Sequence, residues 1–85
     1  MSQLEKAKNR IKGCPKDYTY DEARALLLRL GFEESNKGKT SGSRVRFFRK
    51  TDGRVIDLHK PHPKNTMKSY SVVDLKDFLE SIGEI

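Results

Sequence analysis

Long apolar runs are missing from this chain. The longest are only a few residues, and none follows the starting Met, so neither a membrane span nor a signal peptide is expected and the cytoplasm is the expected compartment. Cysteine is nearly absent too. The single thiol, Cys14, excludes an internal disulfide and a thiolate zinc cluster, fits a reducing compartment, and has no neighbour with which to form a nucleophile dyad. Length is the third shortage. Eighty-five residues make one small domain near the lower limit for a self-sufficient core, so any activity must sit on the surface of that core. Internal repeats and low-complexity segments are not apparent, although residues 37–42 are loop-like in composition.

Positive charge is what the chain has in quantity. The net charge is +6 and the pI about 9.6, which predicts an acidic partner. By segment, residues 1–16 carry +4, 17–35 carry −3, 36–70 carry +8 and 71–85 carry −3. The basic character therefore lies between two acidic segments, as expected for a patch on an ordered element rather than a basic tail.

Periodicity supplies the elements. Thr19 and Glu22 have capping-box spacing, Ala23, Leu26, Leu27 and Leu30 then recur at helical spacing, and Gly31 supplies a stop. Ser71 and Asp74 are expected to start a second core helix with Val72, Leu75, Phe78, Leu79 and Ile82 on one face, a staple between Tyr70 and Leu75, and Gly83 at its end. Strands are expected at 32–36, 43–50 and 54–59. The class is α+β, with the order αβββα and a three-stranded antiparallel sheet under two helices on one face. Residues 3–12, with Leu4, Ala7 and Ile11 on one side, would form a marginal helix unless docked. The expected division is a helical extension over 1–16 and a domain over 17–85.

Thr51-Asp52-Gly53-Arg54 reads as a two-residue hairpin turn centred on Asp52-Gly53. That register puts Lys50 opposite Val55, Phe48 opposite Asp57, Phe47 opposite Leu58 and Arg46 opposite His59, with Arg44 diagonal to His59. Alternation assigns Val45, Phe47, Ile56 and Leu58 to the core face and Arg44, Arg46, Phe48, Asp57 and His59 to the other. Arg49 falls on the core side near the strand end, where it is expected to snorkel.

Cations around an aromatic on an open sheet face suit a polyanion reader, with Arg or Lys on phosphates and an unpaired base stacked on Phe48. The plainer alternative is a solvated polar face of an antiparallel sheet. The next segment, LHKPHPKN at 58–65, holds both histidines, His59 and His62. Two ligands without a carboxylate or thiol cluster argue against a metal, and no cofactor is expected. Metal-free RNA cleavage needs a base for the 2′-hydroxyl, an acid for the leaving oxygen and cations on the phosphate. Imidazole can serve as either of the first two. The alternative for His62 is a turn residue that caps or packs. Gly38-Lys39-Thr40 imitates the end of a phosphate-binding loop, but Glu33 stands where the upstream glycine belongs. Neither core helix has a basic face to lay in a DNA major groove.

From Tyr20 to Ile85, about four fifths of the chain, the sequence resembles the HicA toxins of bacterial type II toxin–antitoxin modules. The matching parts are the helix closing in LGF (30–32), GSR (42–44) before an apolar-basic strand, LHKPHP (58–63) and a last helix ending LESIG (79–83). Order and spacing carry the likeness rather than any one part. The resemblance implies a double-stranded-RNA-binding-domain-like fold, mRNA interferase activity, and a HicB-type antitoxin that covers the basic face. Residues 1–16 resemble the leading helix of longer members. The family pattern is Gly-Ser-His, its histidine the proposed catalytic residue; here Gly42 and Ser43 match and Arg44 departs. Arginine stays protonated, so it can bind phosphate but cannot act as a general base. Either the base has moved to His59, or to His62, which matches the histidine of the family's Pro-His-Pro segment, or the protein binds RNA or an antitoxin without cutting. Gly42, Ser43, Arg44, Arg46, Phe48, Lys60 and Lys64 are the candidate RNA contacts.

Overall fold

The computed structural model describes residues 2–35, 44–61 and 64–85. Helices α1 (Gln3–Lys12) and α2 (Tyr20–Arg29) precede strands β1 (Glu33–Ser35), β2 (Arg44–Arg49) and β3 (Arg54–His59), and helix α3 (Ser69–Ser81) closes the chain. The strands form one antiparallel sheet in the order β1-β2-β3. Phe47 and Leu58 share a buried cluster with Leu26 and Leu27 of α2 and Leu75 and Leu79 of α3, so both helices cover the same sheet face. The αβββα layout is thus present, preceded by a further helix.

The start of α2 is the expected capping box. Thr19 Oγ1 accepts from the Glu22 N–H at 3.2 Å, and Glu22 Oε2 accepts from the Thr19 N–H at 2.9 Å. Its end follows from Gly31, whose φ of +94° is costly for any residue with a Cβ. The marginal α1 is docked. Ser2 caps it through the Glu5 N–H at 3.1 Å, Ile11 is fully buried in the common core, and Arg10 reaches across to Asp17 and Glu22.

Two expectations need correction. The last helix begins at Ser69, not Ser71, and its cap position is Lys68, which makes no side-chain capping bond. A backbone bond sets this start instead. The Met67 N–H donates to Tyr18 O at 2.8 Å and buries Met67 beside the helix that follows, while Tyr70, the expected staple residue, is exposed. Lys68 also faces the positive end of the helix dipole. Lys68→Asp is therefore expected to raise stability by about 1 kcal/mol in a denaturant titration.

The hairpin is the second correction. Its last pair is Arg49↔Arg54, so the loop is four residues, 50–53, and every pairing is slipped by two from the expected register. Arg49 accounts for the wider loop. Rather than snorkelling it is 8 % exposed, donates to Asp52 at 3.1 and 2.6 Å, to Glu84 at 2.7 Å and to Leu30 O at 3.1 Å, and lies 4.8 Å from the Phe32 ring centroid. Asp52 is folded back onto that guanidinium, and the Gly53 N–H closes the loop on Arg49 O at 2.9 Å. A slip of two changes partners but not faces, so the assignment of side chains to the two sides of the sheet stands.

Candidate nucleic-acid interface

The open face of the sheet is built of cross-strand rows. Nearest the segment that follows β3, Arg44 lies directly opposite His59 rather than diagonal to it, and both are exposed. Directly opposed side chains have Cβ atoms about 4.5–5.5 Å apart, close enough to share one phosphate. In the next row Arg46 sits between Ser35 and Asp57, and its guanidinium donates to the Asp57 carboxylate at 2.9 and 3.4 Å. The third row is Glu33, Phe48 and Val55, with Lys50 3.7 Å from Glu33. Phe48 is half-buried there, and Val55 is 47 % exposed.

Lys60 belongs to the other side. One residue beyond His59, it is exposed, and its Nζ is 5.9 Å from the centroid of the Tyr20 ring on the side of the sheet that the helices cover. Lys64 is exposed in the bend before α3. Gly42, Ser43 and His62, with the loop residues 37–42, lie outside the described residues. Among the described residues no three His, Cys, Asp or Glu side chains group as metal ligands do, and no helix is long and apolar enough to cross a membrane.

Asp57 is the site residue that the charge inventory understated. The Arg46 hydrogen bond holds its carboxyl below the usual range against the opposing effect of burial, and the charges of Arg46, Arg44 and His59 add to the lowering. Alternation already placed it among the cations; what was missing was its bidentate grip on Arg46. Arg46 is therefore paired with a carboxylate at the surface, its side chain 62 % exposed. Asp57→Asn is expected to tighten RNA binding and to steepen its salt dependence by about 0.7 in log–log slope, the increment for one more phosphate contact on a single strand.

Glu34 and Glu22 are depressed as well. Burial raises Glu34, but hydrogen bonds from Arg24 at 3.0 Å and Tyr20 at 2.9 Å outweigh it, and Glu22 is lowered in the same way, against burial, by Arg10 and Thr19. Their stabilising contribution is fully present above the unfolded values of about 4 and is lost as pH falls through the lower folded ones. The denaturation midpoint is accordingly expected to fall between pH 5 and about pH 3.

The αβββα domain thus presents Arg44 and His59 as a row at one end of its open sheet face. A family model described as the HicA toxin of bacterial toxin–antitoxin systems matches residues 20–83, and the chain belongs to that family. It is thus a toxin of a toxin–antitoxin system, and its family implies an antitoxin partner. Searches among curated proteins and solved structures gave no significant match.

Proposed function

We propose that the protein is a metal-independent endoribonuclease that cleaves mRNA in the cytoplasm and is neutralised by a HicB-type antitoxin seated over the open sheet face. The observation that carries this reading is the Arg44↔His59 pairing at the end of that face. Here a fixed cation and an imidazole stand side by side although the family's catalytic position is occupied by Arg44. In the reaction a base removes the 2′-hydroxyl proton, the 2′-oxygen bonds to phosphorus, the bond from phosphorus to the 5′-oxygen breaks, and an acid returns a proton to the leaving oxygen. His59 and His62 take these two roles. Arg44 holds the phosphate and offsets its developing charge, and Gly42, Ser43 and Lys64 line the RNA strand.

A second reading, a module that binds RNA or antitoxin without cutting, is favoured by Arg44 itself, since a permanently charged guanidinium cannot take up a proton. A gel assay on a structured mRNA in EDTA separates the two. The endoribonuclease reading expects cleavage by the wild type that His59→Ala or His62→Ala loses. A silent wild type with an active Arg44→His would make the chain a toxin scaffold without its base, acting by binding.

A further inference from the structure

Tyr20, the first residue of α2, touches both ends of the segment that joins β3 to α3. At the start of that segment Lys60 rests over the Tyr20 ring, 5.9 Å from Nζ to centroid, within the range of a cation–π contact. At its end the Tyr20 N–H donates to Asn65 O at 2.8 Å, beside the Thr19↔Thr66 bridge and the bond from the Met67 N–H to Tyr18 O. The ring itself is held on two further sides, by Glu34 and by Phe47. Its hydroxyl donates to Glu34 Oε2 of β1 at 2.9 Å, the other Glu34 oxygen accepts from Arg24 at 3.0 Å, and the ring packs against Phe47, 6.4 Å between centroids. Tyr20 is 2 % exposed.

His59 is the last residue of β3, paired with Arg44, and Lys60 follows it directly outside the strand, so the seat of Lys60 constrains the path on which the chain leaves His59. We propose that Tyr20 is a positioning residue: by seating Lys60 and anchoring Asn65 it sets the direction in which the chain leaves β3, and with it the placement of the His59 imidazole relative to Arg44. The inference rests on the endoribonuclease reading and gives Lys60 the task of orientation rather than of phosphate contact.

The test compares Tyr20→Phe, Tyr20→Leu and Lys60→Met in the full chain by three readouts. These are single-turnover cleavage, affinity for a 2′-O-methyl RNA that cannot be cut, and the NMR shifts of the Lys60 ε-methylene and of His59. Tyr20→Phe keeps the ring and is expected to retain the upfield Lys60 shift and a rate within about threefold of wild type. Tyr20→Leu and Lys60→Met are expected to slow cleavage about tenfold or more while RNA affinity stays within about threefold, as misplacement of a reacting group does. Should Tyr20→Leu not fold, Lys60→Met decides alone. Weaker binding at an unchanged rate in Lys60→Met would overturn the proposal, since Lys60 would then be a phosphate contact. If the wild type does not cleave at all, the endoribonuclease reading fails separately. Displaced His59 shifts in Lys60→Met then still uphold the positioning, and unchanged ones overturn it.

Discussion

His59→Ala is expected to slow RNA cleavage by at least about 100-fold, the lower end of what a positioned general acid or base contributes. His59 is the last residue of β3, exposed on the open face, directly across from Arg44. Removing the imidazole leaves Arg44 in place, so the loss should fall on the rate and not on RNA affinity, which depends on cations. His59→Gln, which keeps a polar side chain but no titrating group, should be as slow as the alanine variant. Single-turnover rates with saturating protein, alongside affinity for the uncleavable RNA, read the two quantities apart. A His59→Ala protein that cuts within threefold of wild type would remove His59 from the chemistry.

Ile11→Ala is expected to cost about 2–5 kcal/mol of folding stability, a large share of the total for a domain of this size. Ile11 lies in α1, ahead of the residues that match the family, yet it is fully buried in the same core as the helices α2 and α3. Its helix is short and half its residues are charged, so packing and not propensity must hold it. Truncation at Ile11 leaves a cavity beneath α1 while sparing the polar contacts of Arg10. Lys6→Ala, on the exposed side of the same helix, is expected to be silent. Chemical denaturation of the two variants measures both effects, and an Ile11→Ala midpoint equal to that of wild type would mean that α1 is not docked in solution.

The elements legible in the sequence were those set by neighbours in the chain. The Thr19–Glu22 box, the Gly31 stop and the alternation of β2 and β3 depend on residues at most four apart, and they stand as read. The misread features depend on distant partners. Asp52-Gly53 has the chemistry of a tight turn, but Arg49 needs Asp52 beside it, together with Glu84 from beyond α3, and the loop widens to allow this. The start of α3 follows from Met67 bonding to Tyr18 across the domain, and no capping side chain in the local sequence announces it.

The same holds for the candidate site. Which side chains share the open face was readable from period two, including Asp57, whereas their partners were not. The two-residue slip brings Arg44 directly opposite His59 and gives Arg46 to Asp57. The place of Lys60 near the Tyr20 ring depends on a residue forty positions earlier in the chain, which local sequence does not announce.

A double-mutant cycle on Arg44 and His59, read by single-turnover cleavage in EDTA, measures whether the two side chains act together on one phosphate. If both side chains act on one phosphate, Arg44→Ala and His59→Ala will be strongly non-additive, and the double variant will be about as slow as His59→Ala alone. Rates that multiply independently, or a wild type that leaves the RNA intact, would contradict that joint action.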